Sequence, residues 1–258
     1  MNSSGVTITI LGSGTSTGVP VIGCSCPVCS STSVRNRRSR CSALLSWSGY
    51  NLLIDTSPDL RKQSLDNGIE KIDAVFYTHS HADHVHGIDD LRVFNLGVGE
   101  GLPVYASAAV IERLTSCFAY VFKWRTKGFC PRLRPMVLTE AVELFGRCIM
   151  PIDLIHGEAA VFGYRVGSLA YLTDCSDLPE QSWPKLQGLE LLVIDGLRYR
   201  HHPTHFTIAQ AIEVGQQLDA KRVVLTHLSH DVDYDKHSEQ LPENVEFAYD
   251  GMVITVSD

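Results

Sequence analysis

An α/β fold with a metal site at one edge of a sheet is the architecture that this sequence predicts. Short apolar runs of strand length recur along the chain, and several of them end at a histidine or an aspartate. Segments with helix start and stop signals separate some of these runs. Because side chains at strand ends can converge on one rim of a sheet, the pattern predicts both the fold class and the place of the active site.

The most informative stretch is a histidine-rich motif that follows a predicted buried strand at residues 72–77. Imidazole and carboxylate groups suit zinc, manganese and iron. The first two histidines are two residues apart, which places both side chains on one side of an extended loop. The next two ligands follow too closely to share that direction, and they fit a second metal better. The motif consists of His79, His81, Asp83 and His84.

Strands are predicted near both ends of the chain as well as around the motif. Residues 6–11 alternate between apolar and polar types and are rich in β-branched side chains, which favours a strand. Residues 42–48 and 50–54 predict a strand pair joined by a tight turn. Two further strands are predicted at residues 102–105 and 253–256.

Helix boundaries are indicated by capping residues. Ser57 is followed by a proline and an acid, which is typical of a helix start, and Gly68 ends that helix. Thr207 and Gln210 have the spacing of a capping box, which predicts a helix to about Leu218. Further helices are predicted at residues 85–94 and 108–120.

Polar residues end the predicted strands of the second half with unusual regularity. Any one of them alone would more often be an ordinary hydrogen-bonded residue. Several in register with the histidine motif are difficult to explain in that way, so we expect them to meet it at one site. The strand at 149–155 ends at His156, 169–172 leads to Asp174, 191–194 ends at Asp195 and 223–225 leads to His227.

A cysteine cluster precedes the second strand. Cys24, Cys26 and Cys29 have the spacing C-x-C-x-x-C. Three thiolates can hold one tetrahedral zinc ion, but they leave one coordination position to be filled from elsewhere in the chain. A redox or free-thiol role is the alternative.

Composition restricts the classes of function. The 258 residues have a net charge of −7, and the apolar content is that of a globular domain, so we expect a single domain over residues 1–258. The acidic charge argues against broad nucleic-acid binding. No signal peptide is evident and no apolar stretch approaches the length of a membrane span, so a cytoplasmic enzyme is expected.

Two basic segments leave alternatives open. Residues 35–40 contain four arginines, which either lie on the surface beside the cysteine cluster or face an anionic substrate. Residues 121–148 mix basic and aromatic side chains. They form either a surface insertion or a lid over the substrate.

The motif His-x-His-x-Asp-His after a buried strand resembles that of the metallo-β-lactamase superfamily. The resemblance implies an αββα sandwich and a hydrolase with two divalent metal ions, which lower the pKa of a water molecule towards ~7 for attack on phosphorus. It further implies that Asp55 braces the motif. Lactamases that use cysteine as a ligand are disfavoured, because an aspartate occupies the bridging position. The implied ligands are His79, His81 and His156 for the first metal, Asp83, His84 and His227 for the second, and Asp174 for both.

Two features resemble the PhnP-type phosphodiesterases within this superfamily. His230 can complete the cysteine cluster as the fourth ligand of a structural zinc, and a histidine at position 205 stands before the capped helix. The resemblance implies hydrolysis of small, cyclic phosphodiesters such as phosphoribosyl 1,2-cyclic phosphate, with Mn²⁺ or Zn²⁺ at the active site, in a homodimer. His205 is the predicted general acid, unless it is a surface histidine, and Asp83 is the other residue predicted to be essential for catalysis.

Three other functions fit parts of the pattern. An enzyme similar to ribonuclease Z, which processes the 3′ end of tRNA, would share the metal ligands, but the chain is acidic and no long basic arm for tRNA is evident. A thioester hydrolase of the glyoxalase II type is less compatible with the cysteine cluster and the arginine run. A metal-binding scaffold without turnover would usually have lost one ligand of the set.

Overall fold

Two mixed β-sheets stacked face to face, with helices on their outer faces, form the computed structural model of this protein. The structure describes residues 5–95, 101–123 and 131–257. The strands within these ranges are β1 (Val6–Gly12), β2 (Ser42–Trp47), β3 (Tyr50–Ile54), β4 (Ala74–Phe76), β5 (Leu102–Ala106), β6 (Leu133–Val137), β7 (Val142–Leu144), β8 (Arg147–His156), β9 (Ala159–Val166), β10 (Leu169–Leu172), β11 (Leu191–Asp195), β12 (Arg222–Thr226), β13 (Val245–Phe247) and β14 (Met252–Val256).

The two sheets have the same internal plan. The first has the strand order β14-β1-β2-β3-β4-β5-β6, and the second has the order β13-β12-β11-β10-β9-β8-β7. In the first sheet the pairs from β14 to β3 are antiparallel and those from β3 to β6 are parallel. In the second sheet the pairs from β13 to β10 are parallel and those from β10 to β7 are antiparallel. The parallel part of each sheet places several carboxyl ends of strands side by side, where ligand sites are commonly found.

Helices connect the parallel strands. Among the described helices, none has both the length and the apolar character needed to cross a bilayer. Short 3₁₀ helices lie at Val34–Asn36, Ile88–Phe94, Glu180–Ser182, Pro184–Leu186 and Ser238–Gln240. The α-helices are α1 (Leu60–Asp66), α2 (Ala82–Val85), α3 (Ala108–Cys117), α4 (Ala119–Phe122), α5 (Ile208–Gln217) and α6 (Tyr234–His237).

Alternating side chains of both sheets fill the space between them. Ile8 of β1 and Ile254 of β14 point inward and are buried, whereas Val253 points outward and is 61% exposed. From the second sheet, Tyr171 and Val193 join the same cluster. Alternate positions of a strand face opposite sides of a sheet, so the alternation in the sequence selects the buried face.

Helices cover the outer face of each sheet. Helix α5 buries Ile208, Ala211 and Val214, and its Gly215 lies so close to the second sheet that an added Cβ would come within 2.6 Å of Val223 Cγ2. The apolar faces of α1 and α3 pack with the outer face of the first sheet. The order of layers is helix, sheet, sheet, helix, which confirms the predicted αββα sandwich.

The structure corrects three expectations about individual elements. In place of the helix predicted at 85–94, α2 ends at Val85 and a 3₁₀ helix follows from Ile88 to Phe94. Strand β13 was not predicted, nor was β9, which has a glycine at its centre. The helix predicted at 108–120 is divided into α3 and α4.

The two basic segments have different outcomes. The guanidinium of Arg35 lies 4.7 Å and 4.8 Å from the ring centroids of Tyr234 and Tyr249. Arg38 is buried and donates hydrogen bonds to two backbone carbonyls within residues 229–232. These contacts favour a structural role for both arginines over contact with a substrate. In the segment 121–148, residues 124–130 lie outside the described part of the chain, and residues 133–137 and 142–144 form β6 and β7 at the edges of the two sheets.

The inter-sheet core provides a test of the fold. Leu45 is 1% exposed and packs between the sheets, whereas Val253 of the same sheet points into solvent. We expect Leu45→Ala to lower the free energy of unfolding by about 2–5 kcal/mol, because it removes buried methyl groups and leaves a cavity. Val253→Ala is the matched control and should change it by no more than about 0.5 kcal/mol. Urea denaturation measures both, and equal effects would contradict the described core.

Candidate metal centre and active site

The predicted ligands lie together because strands of both sheets end at the same edge of the sandwich. His79 lies just beyond β4, Asp174 just beyond β10 and His227 directly after β12. Asp55, Asp174 and His227 have positive φ angles of 61°, 51° and 57°. The left-handed conformation costs about 1–2 kcal/mol for an L-residue, and such strain is typical of functional sites.

The predicted ligands fall into two groups of ligand atoms at this edge, and two further, overlapping groups include His205. In the first group, nitrogen atoms of three histidines lie within 4.8 Å of one another; the residues are His79, His81 and His156. In the second group, four ligand atoms lie equally close; they belong to Asp83, His84, Asp174 and His227. Every active-site metal ligand predicted from the sequence is therefore present in one of the two groups.

Asp174 lies between the two groups. Its Oδ2 atom is 3.9 Å from His79 Nε2 in the first group and 3.3 Å from His227 Nε2 in the second. Burial opposes ionisation of this carboxyl, but His227 and His84 hold its pKa well below the usual range. A buried carboxylate with imidazoles on both sides can bridge two cations.

Outer hydrogen bonds fix the orientation of the histidine rings. His84 Nδ1 donates to Asp55 at 2.7 Å. Thr78 donates its hydroxyl hydrogen to Asp55, so the contact of 2.9 Å between Thr78 Oγ1 and His79 Nδ1 requires the ring nitrogen to donate. His156 donates through Nδ1 in the same way, to a backbone carbonyl at 2.7 Å. Each ring therefore turns Nε2 towards the site. Carboxylates and backbone carbonyls commonly orient metal-binding histidines in this way.

Buried ring nitrogens without a hydrogen-bond partner indicate what kind of ligand would fit the two groups. The Nε2 atoms of His79, His84 and His227 are buried and have no hydrogen-bond partner. Burial lowers the pKa of His79 and of His227, which favours the neutral form of each ring, the form that offers a lone pair. An unpaired buried polar atom costs about 1–3 kcal/mol, which a divalent cation would relieve. The donor set of imidazole and carboxylate therefore fits divalent metal ions.

His84 provides a second indication of missing positive charge. Its Nε2 lies 3.2 Å from Asp174 Oδ1 without the geometry of a hydrogen bond, and its Nδ1 bonds to Asp55. Burial opposes protonation of the ring, but Asp174 and Asp55 raise the pKa of His84 well above its ordinary value. The space between the two carboxylates thus favours a cation, which a metal ion at Nε2 would supply.

His205 stands beside both groups and is held by a carboxylate. Its Nδ1 donates to Asp195 Oδ2 at 2.6 Å, and the same oxygen accepts the backbone N–H of Cys175 at 3.0 Å. The ring centroid of His205 is 4.7 Å from those of His156 and His227. Burial opposes protonation, whereas the hydrogen bond with Asp195 and its charge raise the pKa of His205 above the ordinary value. The surface position considered as an alternative is wrong, since His205 is only 9% exposed.

The cysteine cluster meets His230, as the resemblance to the PhnP-type phosphodiesterases implies. The Sγ atoms of Cys24, Cys26 and Cys29 lie 3.4 Å, 3.5 Å and 3.5 Å from His230 Nδ1. Tetrahedral zinc with bonds of 2.0–2.3 Å separates its ligands by about 3.5–3.8 Å. The four atoms therefore have nearly the spacing of a closed zinc site.

Two contacts in the active site were not foreseen from the sequence. Asp195 was recognised only as a residue at a strand end; it is the last residue of β11, and its hydrogen bond with His205 was not predicted. The carbonyl of Thr204, which accepts the hydrogen bond from His156, gives no signal in the sequence because every residue carries one.

Comparison with known proteins agrees with this fold. A family model described as a beta-lactamase superfamily domain matches residues 50–228. A solved diphosphatase of the PhnP family is 42% identical with a TM-score of 0.92, and the alignment covers 97% of each chain. Zinc-bound PqqB from Methylobacterium extorquens is 20% identical with a TM-score of 0.74 over 97% of this chain and all of that one, a likeness that shows the fold alone.

Curated relatives have diverse names. An octanoyltransferase of Porphyromonas gingivalis is 39% identical over 257 residues, but this chain spans only about half of that protein, 51% of its length. The ribonuclease Z of Pyrobaculum neutrophilum is 24% identical over 71% of this chain and 78% of that one. Because this chain covers only about half of the octanoyltransferase, the name of that protein indicates no activity for this chain.

The fold, the family match and the paired ligand groups together define a metal-dependent hydrolase. The chain belongs to the metallo-β-lactamase superfamily and, within it, to the PhnP family.

The cysteine cluster leads to a prediction about metal content. Cys26→Ser should lose about one equivalent of zinc per chain and lower the melting temperature, because structural zinc contributes directly to folding. Cys117 is an exposed free cysteine on α3, and Cys117→Ser is the matched control that should lose neither. Elemental analysis of both proteins makes the comparison. Full zinc content in Cys26→Ser would show that this cluster holds no zinc.

Proposed function

We propose that this chain is a phosphodiesterase that hydrolyses small phosphodiesters, including cyclic ones such as phosphoribosyl 1,2-cyclic phosphate. The observation that carries the proposal is the pair of ligand groups that share Asp174, with His205 beside them. A centre of this kind suits a phosphoryl group, since negative charge develops on its oxygens while one P–O bond forms and another breaks.

The active-site ions would be Mn²⁺ or Zn²⁺. His79, His81 and His156 would hold one ion, Asp83, His84 and His227 would hold the other, and Asp174 would contact both. When bound, two such ions supply an activated water nucleophile and stabilise charge on the phosphoryl oxygens. Asp55 keeps His84 in the orientation that this binding needs.

The residues of the chain itself supply the proton for the leaving group. His205 Nδ1 is occupied by Asp195, so Nε2 is the atom that faces outward from that pair and can carry the transferable proton. As the bond between phosphorus and the leaving oxygen breaks, His205 gives this proton to the oxygen. Asp195 holds the ring in place and stabilises its charged form before transfer, the arrangement expected of a general acid.

Two classes of phosphorus compound are candidate substrates. The relative with 42% identity is called a diphosphatase, so a phosphoric anhydride is a second candidate beside a diester. In both classes the bond between phosphorus and a bridging oxygen breaks, and that oxygen leaves. Ribonuclease Z relatives are more distant, at 24% identity, and tRNA is therefore a further test substrate rather than the expected one.

Other features of the organisation are proposals that rest on the family resemblance. We propose one domain over residues 1–258, a structural zinc at the cysteine cluster, a homodimer and a cytoplasmic location. The near-tetrahedral spacing of the cysteine and His230 atoms supports the zinc.

A substrate panel tests the proposed reaction. Protein loaded with Mn²⁺ should hydrolyse bis(4-nitrophenyl) phosphate faster than 4-nitrophenyl phosphate or a thioester. Asp83→Ala should abolish diester turnover, because it removes a carboxylate from the second ligand group. Glu213→Ala is the control, since Glu213 lies on the exposed side of α5 and should leave turnover unchanged.

Each outcome of this panel separates the functions. Turnover of the thioester alone would contradict the phosphodiesterase and support a hydrolase of the glyoxalase II type. Turnover of tRNA precursors alone would support a ribonuclease. Diester turnover that survives Asp83→Ala would show that the activity comes from elsewhere.

The proton donor is tested with leaving groups of different basicity. His205→Ala should slow hydrolysis of diesters with alkoxide leaving groups by about 10²–10⁴-fold, because these oxygens need a proton. Hydrolysis of esters of 4-nitrophenol should fall much less, since that leaving group departs without one. Asp195→Asn should show the same preference to a smaller extent. Equal losses on both classes of ester, measured as kcat, would contradict the role of His205.

A further inference from the structure

One backbone turn, residues 202–205, touches a metal-ligand residue and holds the proton donor. The carbonyl of Thr204 accepts the Nδ1–H of His156 at 2.7 Å. The next residue is His205, whose ring packs 4.7 Å from that of His156 and bonds to Asp195. A shift of this turn therefore cannot move one of these two histidine rings without affecting the other.

Gly157 allows the turn to approach so closely. It has a φ of 62°, and an added Cβ would lie 2.8 Å from Thr204 Cγ2 and 3.6 Å from Thr204 Cβ. Its amide is held by Ser176 Oγ at 3.2 Å, so the backbone next to His156 has little freedom to move away. A side chain at this position would therefore push on Thr204.

The two ends of the turn are anchored differently. On the far side, Phe206 N–H donates to the carbonyl of Cys175 at 2.7 Å, which ties the chain to the strand-end loop that carries Asp174. On the near side, Thr204 donates its hydroxyl to His202 Nδ1 at 3.1 Å, a contact within the turn itself. Pressure on Thr204 is thus expected to move the turn rather than the sheet.

We infer that Thr204 and Gly157 are positioning residues that set His156 and His205 in a fixed relation to each other. The Thr204 carbonyl keeps the proton of His156 on Nδ1 and leaves Nε2 for the metal, and the chain leads from it directly into His205. Gly157 keeps the space that Thr204 occupies. The inference rests on the proposed function, in which His156 binds a metal and His205 donates a proton.

Glycine variants separate contact from backbone strain. Gly157→Ala introduces both the contact with Thr204 and the strain of a positive φ. Gly146→Ala and Gly188→Ala are matched controls, because those glycines have φ of 78° and 72° and nothing within 4 Å of an added Cβ. Thr204→Ser in the Gly157→Ala background removes the clashing Cγ2 and keeps both the hydroxyl and the carbonyl.

The first readout is Mn²⁺ binding to the metal-free proteins, measured by calorimetry, which does not depend on activity. Gly157→Ala should weaken binding by about 10–100-fold, the usual effect of disturbing a partner of a ligating histidine. The two control variants should bind as the unaltered protein does, even where their melting temperatures fall. The double variant should recover most of the affinity.

The second readout is the ratio of kcat for an aryl diester to kcat for an alkyl diester. Gly157→Ala should raise this ratio by at least about tenfold, since a displaced His205 penalises the leaving group that needs a proton. Thr204→Ser in the same chain should lower it again. If Gly157→Ala only lowered the stability of the protein, the ratio of the two kcat values would stay the same, and Thr204→Ser would have no effect on it.

Several results would overturn the inference. These are unchanged Mn²⁺ affinity in Gly157→Ala, equal losses in the Gly146 and Gly188 controls, or no recovery in the double variant. If Gly157→Ala does not fold, recovery of folding and Mn²⁺ binding by Thr204→Ser supports the contact, and an equally unfolded double variant refutes it. If the unaltered protein binds Mn²⁺ but hydrolyses no diester, the proposed function fails while the binding measurements still decide this inference.

Discussion

The active site depends on an electrostatic constraint, which is that several buried ring nitrogens meet around Asp174 without hydrogen-bond partners. His79, His84 and His227 turn Nε2 towards this carboxylate, yet none of these atoms has a hydrogen-bond partner. Burying such atoms costs free energy unless a cation pairs with them. Asp55 fixes the orientation of His84 from behind and Thr78 fixes that of His79, so these two rings cannot turn away.

The sandwich supplies this arrangement through the ends of its parallel strands. The two sheets share one plan of parallel and antiparallel pairs, and their parallel halves bring strand ends from distant parts of the sequence to one edge. Each ligand then sits on a short segment directly attached to a buried strand. Where the backbone must turn sharply, at Asp55, Asp174 and His227, it adopts positive φ angles that the surrounding hydrogen bonds maintain.

The features predicted best from the sequence are those whose causes are local. Alternation from Val6 to Ile10 predicts β1, and the capping box of Thr207 and Gln210 is present in α5 with both hydrogen bonds. The convergence of His156, Asp174 and His227 on the histidine motif follows from their places after apolar runs, whereas their assignment as metal ligands is what the family resemblance implies. The resemblance of the histidine motif to one superfamily then supplied the layer order, which composition and periodicity alone do not provide.

Features that depend on tertiary contacts escaped prediction. β9 needs a glycine at position 163, because an added Cβ would lie 2.5 Å from Leu172 Cδ2. In the sequence, however, a central glycine weakens the signal for a strand. The sequence favours a surface position for Arg38, and only the fold shows that this side chain is buried against backbone carbonyls. The carbonyl of Thr204 is invisible in sequence for a related reason, since its role depends on position rather than residue type.

If the unpartnered nitrogens around Asp174 are metal ligands, anomalous X-ray diffraction will locate ions beside them. Crystals of protein supplied with Mn²⁺ and Zn²⁺ would be measured on both sides of each absorption edge. We expect one anomalous peak among His79, His81 and His156 and a second beside His84 and His227, with Asp174 in contact with both ions. An absence of peaks there, with the Nε2 atoms hydrogen-bonded to water molecules instead, would contradict it.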